Sequence, residues 1–379
     1  MRIGIDARFF GPQETGIGRY VERLISHLSE LDQRHEYVVF LRAKAWDWWQ
    51  PPNGRWTKVL ADYHWYSVAE QRYMPGIFRR AKLDLLHVPH FNVPFIYRQP
   101  FVVTIHDLIL DQFPTERATT LEPLLFKIKF WGYQATVRHA IRDSRAVITV
   151  SEKSKADVVR RFHIDPGKVT VTYEAVDPLP EPAPFETLAE HGVRQPYLLH
   201  VGNSYPHKNL ERFLDGVKIA NTRGEIFQVV FVGKRDYFSQ RLEAYARQQG
   251  IGNVCFYGFA SDQELASLYQ HARAYFFPSL SEGFGLPGLE AMQAGLPLFA
   301  SRTSCLPEIF STAAAYFDPL SAEDMARSIQ QALRDTLEQQ RLITAGAERL
   351  KDFSWRRMAQ QTLALYESII HGSTSNTDS

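Results

Sequence analysis

Short, unbroken apolar runs separated by amphipathic stretches recur along the whole chain. In the first half these are RIGID at 2–6, YVVFL at 37–41, DLLHV at 84–88, FVVTI at 101–105 and AVITV at 146–150. In the second half they are YLLHV at 197–201, FQVVFV at 227–232, VCFYG at 254–258, AYFFP at 274–278 and PLFAS at 297–301. Between them lie stretches with helical periodicity, such as RYVERLISHLSEL from Arg19 and LEPLLFKIKFWGYQATVRHAI from Leu121. Runs of Val, Ile and Phe without apolar–polar alternation predict strands buried on both faces, as in parallel sheets covered by helices. The pattern therefore predicts an α/β protein of two Rossmann-like, doubly wound domains. Five prolines between Pro178 and Pro196 predict a linker over 179–195, dividing an N-terminal domain (1–178) from a C-terminal one (196–354). WRRMAQQTLALYESII predicts an amphipathic helix over 355–372 that returns toward the N-terminal domain, and STSNTDS after it a polar tail.

Composition narrows the class. At 379 residues and 45% apolar the chain can build two cores. The net charge of +1 conceals +5 on residues 1–178 and −4 on the remainder. That is too mild for a nucleic-acid protein but fits an N-terminal half lying near an anionic surface. Lys127, Lys129, Arg138 and Arg142 on or near one helix make peripheral contact with a membrane an expectation to weigh against simple solvation. The two cysteines, Cys255 and Cys305, provide neither a disulfide framework nor a cysteine metal site. MRIGIDARFF opens directly on a strand, and no apolar run reaches the roughly 18–20 residues that a membrane span needs. A soluble, cytoplasmic protein is expected.

In doubly wound sheets ligands bind beyond the carboxyl ends of the strands. The unusual residues fall there. FFGPQETGIGRYV follows the first strand with Gly16 and Gly18 ahead of a helix, His106-Asp107 follows FVVTI, and GNSYPHKNL follows YLLHV with Gly202, Asn203 and Lys208. Glycine-rich turns feeding helix N-termini suit phosphate oxygens, because free amides and the helix dipole point at them. Each has a plainer reading: TGIGRY as a tight connection, His106 as a core histidine, Lys208 as a solvated lysine. TGIGRY lacks the third glycine of a dinucleotide fingerprint. Asp6 reads as a structural pair-former, Ser151 as a helix cap, and the stripe Phe126, Phe130, Trp131 as core.

SEGFGLPGLEAMQAGLPLFAS, residues 281–301, is the least ordinary stretch. Pro287 suits a helix start and Gly295 its end, which puts Glu290 in the first turn of a short helix and Glu282 in the loop before it. The dipole accounts for Glu290. It does not account for Glu282, nor for Gly283, Gly285 and Gly288, which open the backbone to close approach.

These motifs carry a resemblance over nearly the whole chain. The sequence resembles the family 4 retaining glycosyltransferases of the GT-B class, in which two Rossmann domains face each other across a cleft. It is most similar to the bacterial mannosyltransferases of cell-surface polysaccharide synthesis. IGIDAR with TGIGRYV, DLLHVPHFNVP, VVTIHDL, VGNSYPHKNL, YGFASDQELASLY and the two-glutamate motif carry it. The resemblance implies that Glu290 holds the donor ribose and that Glu282 sits against the transferred sugar. It implies that amides of Gly283, Phe284, Gly285 and Leu286 line the sugar and diphosphate, and that Lys208 neutralises the diphosphate. Main chain at Phe259 would contact the base, Gly16 and Gly18 would approach the phosphates, Gly202 and Asn203 would belong to the same donor site, and His106 would stand beside the sugar. Relatives often place an arginine where this chain has Asn203 or His207.

No Asp-x-Asp occurs anywhere, so no metal and no cofactor is expected; Lys208 and helix termini must stabilise the leaving diphosphate. The resemblance implies same-face attack, with the leaving phosphate helping to deprotonate the acceptor. Partners expected are a nucleotide sugar, GDP-mannose or a UDP- or dTDP-sugar, and a glycan or lipid-linked glycan acceptor at the inner face of the membrane. A nucleotide-sugar epimerase or hydrolase of the same fold, or a non-catalytic binding module, would share the fold; the intact pair of glutamates with Lys208 argues against the last.

Overall fold

The computed structural model describes residues 1–11, 15–113 and 123–374. The chain divides into two compact units. Of the described residues, one unit comprises 1–11, 15–112, 123–174 and 354–374, the other 113 and 175–353. The stretch 179–195, expected as a linker, is part of the second unit's body. It carries a helix, Phe185–Glu190, whose Leu188 is fully buried, and Ala183 N–H donates to the Gln263 carbonyl at 3.0 Å. Prolines there direct a packed connection, not a free tether.

The first unit is a seven-stranded parallel sheet of β1 (Arg2–Asp6), β2 (Glu36–Leu41), β3 (Trp56–Leu60), β4 (Leu85–Val88), β5 (Phe101–Ile105), β6 (Ala146–Thr149) and β7 (Val169–Val171), in the order β3-β2-β1-β4-β5-β6-β7. The second is a six-stranded parallel sheet of β8 (Tyr197–Val201), β9 (Gln228–Val232), β10 (Val254–Gly258), β11 (Ala274–Phe277), β12 (Leu298–Ser301) and β13 (Ala314–Phe317), in the order β10-β9-β8-β11-β12-β13. Both orders reverse direction beside their first strand, so each unit is doubly wound and has one switch point, at β1/β4 and at β8/β11. β3, β7 and β13 lie outside the sequence-predicted strands, and all three are sheet edges. An edge strand is covered less completely, so WTKVL, VTV and AAYF lack the continuous burial of the central strands.

Helices fill both faces. In the first unit Met74 and Phe78, Val137 and Ile141, and Val158 and Phe162 pack from three helices onto one sheet core. Asp6 is the pair-former expected: Arg8, fully buried, donates to Asp6 at 2.6 Å and to Glu70 at 2.7 Å. Ser151 caps the helix Glu152–Phe162 by accepting from Ser154 N–H. Trp131 departs from expectation. It is 73% exposed instead of core, and the side chains of Phe126, Lys127 and Lys129 lie outside the described residues. Arg138 and Arg142 are exposed. Among the described residues no helix is long and apolar enough to cross a membrane.

The C-terminal helix, Trp355–Thr374, belongs to the first unit and is fixed there by a buried polar chain. Tyr366 Oη stands 2.5 Å from His87 Nδ1, His87 Nε2 is 2.9 Å from Thr104 Oγ1, and Thr104 Oγ1 is 3.1 Å from Tyr20 Oη. Complete burial, with a contribution from His106, pushes the His87 imidazole down to about 3, so it is neutral at physiological pH and its single N–H gives the chain a direction.

That depression has a consequence with a fixed sign. The unfolded chain takes up a proton at His87 near pH 6.5, whereas the folded protein does so only near 3. The stabilisation is therefore complete above 6.5 and is lost as pH falls toward 3. Between pH 7 and pH 5 the wild type should lose about 2 kcal/mol through this residue, at ~1.4 kcal/mol per pH unit below 6.5. Denaturant unfolding of the wild type and of His87→Gln at both pH values should show the gap between them narrowing by that amount at pH 5.

Candidate functional site

The loops after β8 and β11 meet at the second unit's switch point. Tyr205 leads a single tight turn, Pro206–Lys208, and Asn209 follows in the left-handed region (φ 59°) before the helix Leu210–Thr222. The turn aims Lys208 across the switch point, where its Nζ lies 2.6 Å from Glu282 Oε1, with only 14% and 10% of the two side chains exposed. Lys208 Nζ also sits 5.9 Å from the centre of the Phe277 ring, near enough for a cation–π contact. The loops are tied in the main chain as well, Leu280 N–H donating to the His207 carbonyl at 2.7 Å.

Burial acts to raise the Glu282 carboxyl, but the Lys208 cation and the hydrogen bond from Lys208 outweigh it. The group is held below the usual glutamate range and stays ionised. Burial first, and the Lys208 charge second, push His207 down to about 4, so it stands neutral beside the pair. His200 on β8 is likewise pushed to about 4, chiefly by burial, and its Nδ1 meets the Phe276 carbonyl at 3.0 Å.

Glu290 differs from expectation. The helix runs Leu286–Gln293 behind Gly285 in a left-handed conformation (φ 112°), which puts Glu290 in the second turn and not the first. It is 8% exposed, and Tyr269 Oη donates to its Oε2 at 2.9 Å. A carboxylate buried one turn inside the helix is held by a side chain, and the dipole no longer explains it. The glycines also have a partly different reason from the one expected. A Cβ on Gly288 would lie 2.3 Å from Phe310 Cζ, and one on Gly285 3.0 Å from the same atom, so what approaches these two positions is the protein's own Phe310.

Other residues hold the loop in place. Ser304 Oγ accepts from Glu282 N–H at 3.0 Å and donates to the Glu282 carbonyl at 2.9 Å, and Cys305 Sγ is 3.3 Å from the carbonyls of Glu282 and Phe284. Asn209 Nδ2 donates to the Pro278 and Pro319 carbonyls at 3.2 and 2.7 Å, joining the loops after β8, β11 and β13. Behind them, Gly233 packs so tightly on Gly202 that a Cβ there would fall 2.0 Å from the Gly202 oxygen. Phe284 turns inward against Phe353, ring centres 5.6 Å apart, while Phe259 is 87% exposed. Gly202 and Asn203 open the β8 loop, and Gly283 and Leu286 flank the core of the β11 loop.

The fold thus brings Lys208, Glu282, Gly283, Phe284, Gly285 and Leu286 to one place in the second unit, with Gly202 and Asn203 on the adjoining loop. Gly16, Gly18 and His106 belong to the first unit. Gly16 and Gly18 fall inside the first turn of the helix Thr15–Leu31, Gly16 exposed and Gly18 buried. His106 has both ring nitrogens engaged: Nδ1 lies 3.1 Å from Glu174 Oε1 and Nε2 3.1 Å from the Pro89 carbonyl. Glu174, Tyr269, Ser304 and Cys305 were not legible as site residues. No local pattern marks them, because each meets its partner only through the fold.

Residues 15–178 match the family model described as Glycosyltransferase Family 4, and residues 188–349 the one described as Glycosyl transferases group 1. An O-antigen chain mannosyltransferase B of Escherichia coli is 26% identical over 93% of this chain and 96% of its own length. An MMP alpha-(1->4)-mannosyltransferase of Mycolicibacterium hassiacum is 27% identical over 83% and 77%. Among solved structures, a sucrose-phosphate synthase from Thermosynechococcus elongatus superposes with a TM-score of 0.73 at 18% identity, covering 98% of this chain and all of that one. Anabaena HepE in complex with UDP and glucose gives 0.73 at 17%, covering 97% of this chain and all of that one.

The Lys208–Glu282 pair makes a stability prediction independent of any ligand. Lys208→Met leaves a buried, uncompensated carboxylate and should cost about 3–5 kcal/mol. Adding Glu282→Gln removes the remaining charge and should recover most of that loss. Thermal unfolding of the two single variants and the double one checks it; a double variant as unstable as Lys208→Met would mean that the pair is not coupled.

Proposed function

The chain belongs to the family 4 glycosyltransferases of the two-domain GT-B class, and on that premise we propose that it moves mannose from GDP-mannose, with retention, onto a growing glycan. The observation that carries the reading is the convergence of Lys208 and Glu282 at the β8/β11 switch point, with Glu290 buried on the following helix. Mannose is favoured because relatives over most of the chain are named mannosyltransferases, in O-antigen synthesis among others. The acceptor is a glycan on a lipid carrier, and the net-basic N-terminal half meets the cytoplasmic face of the membrane.

In this reading the donor diphosphate is received by Lys208. That cation already rests against a carboxylate, so an arriving phosphate oxygen takes over a contact for which the loops are built. Glu290 binds the ribose hydroxyls. Glu282, released from part of its hold on Lys208, faces the transferred sugar and offsets the positive charge that develops there. Lys208 and the amides of Gly283 to Leu286 stabilise the leaving diphosphate, and the departing phosphate accepts the acceptor's proton.

Two measurements test this. Glu290→Ala removes charge-assisted bonds to a part of the donor that does not react. It should cost about 1.5–3 kcal/mol of donor binding, roughly 10- to 150-fold, and raise the donor KM more than it lowers kcat. Glu282→Gln should instead lower kcat at saturating donor and leave the affinity for free nucleoside diphosphate, read by calorimetry, nearly unchanged. Equal loss of diphosphate affinity in both variants would refute the division of roles.

The second measurement concerns metal. With no Asp-x-Asp in the chain and Lys208 in the diphosphate position, transfer should persist in EDTA. Loss of activity restored by magnesium or manganese would overturn the lysine-based account.

A further inference from the structure

His106 and Glu174 form a buried pair with an unusual requirement. His106 directly follows β5 and is 12% exposed at its side chain; Glu174, three residues past β7, is 5% exposed. The imidazole Nδ1 is 3.1 Å from Glu174 Oε1, and Nε2 is 3.1 Å from the Pro89 carbonyl on the loop after β4. A carbonyl accepts and cannot donate, and an ionised carboxylate likewise. A neutral imidazole has one N–H, so it would leave one of these contacts lone pair against lone pair. Two acceptors, one at each nitrogen, are satisfied together by the doubly protonated ring.

The surroundings agree. Tyr20, from the helix Thr15–Leu31, stands perpendicular to the His106 ring with centres 4.9 Å apart and is raised by burial, so it keeps its proton. His87 on β4 and His90 on the loop after it are both lowered, first by burial and then by the His106 charge, so neither competes for the proton. Asp107, the next residue, turns its carboxylate to Ile109 N–H at 2.9 Å, and Ser154 Oγ, from the helix Glu152–Phe162, donates to the His106 carbonyl at 3.1 Å. Glu174 is the carboxylate that meets the ring itself.

We propose that Glu174 is a positioning residue that fixes His106 as an imidazolium, a hydrogen-bond donor and fixed positive charge at the carboxyl end of β5, and not a general base. The proposal rests on the reading that His106 stands beside the transferred sugar, and it deepens that reading. A cationic donor there suits an electron-rich sugar hydroxyl, and it leaves deprotonation of the acceptor to the leaving group. The buried chain Tyr366–His87–Thr104–Tyr20 reaches the His106 ring through Tyr20, so the C-terminal helix braces the same position from behind.

The test uses the full-length protein labelled with 15N-histidine, the His106 signals being identified by their absence in His106→Asn. In the wild type at neutral pH both nitrogens should show the protonated signature. In Glu174→Gln the pH at which the second proton leaves should fall by about 1–3 units, the range for losing an adjacent opposite charge. The alkaline limb of kcat/KM for mannosyl transfer should move by the same amount. Glu174→Asp, which keeps the charge, should retain the doubly protonated ring and covers the case in which the Gln variant does not fold. An unprotonated Nδ1 in the wild type would put the shared proton on Glu174 and overturn the proposal, as would an unmoved titration in Glu174→Gln. Full transfer activity in His106→Asn would overturn the placement of His106 beside the sugar. That failure is distinguishable, because the nitrogen signals report the pair whether or not it serves transfer.

Discussion

A parallel sheet delivers the carboxyl end of every strand to one edge, and both units of this chain depend on that constraint. Where the strand order turns, at β1/β4 and at β8/β11, successive connections leave for opposite faces and the loops part. Each parting holds buried ionised groups. In the first unit Arg8 bridges Asp6 and Glu70; in the second Lys208 meets Glu282. Charges taken out of water are tolerated only with partners, so the loops must hold those partners in register. The polar pairing and the loop geometry are thus one requirement.

The second unit shows how the register is kept. Asn209 spends a left-handed backbone conformation to aim its amide at two carbonyls on separate loops, and Ser304 grips both the N–H and the carbonyl of Glu282. Gly233 lets the loops after β8 and β9 touch main chain to main chain. None of these residues needs to meet a ligand. They hold Lys208, Glu282 and the amides around them in register within the second unit. The first unit carries its own version, with Glu174 and Pro89 gripping His106 from two sides.

The central strands were legible because a strand covered on both faces must be apolar throughout, and FVVTI or AYFFP can hardly be anything else. The edges β3, β7 and β13 were not, since partial cover relaxes that demand and WTKVL reads like a loop. The packed character of 179–195 was hidden for a related reason. Prolines around 179–195 mark a stretch without regular ladder bonds, which is equally true of a linker and of a connection packed on a domain.

The same distinction runs through the site. Its motifs stand in the sequence because glycines, a lysine and glutamates must occupy fixed positions at strand ends, and the alternation of strands and helices determines that those ends share an edge. The sequence by itself therefore determined the α/β class and placed Lys208 and Glu282 on the loops after β8 and β11, with Glu290 on the helix that follows. Which atom meets which was decided by tertiary structure alone. That Tyr269 holds Glu290, that Phe310 fills the space beside Gly288 and that Glu174 faces His106 depend on contacts between residues 21, 22 and 68 positions apart. No local periodicity encodes such distances, since they are created only when the sheet closes over its core.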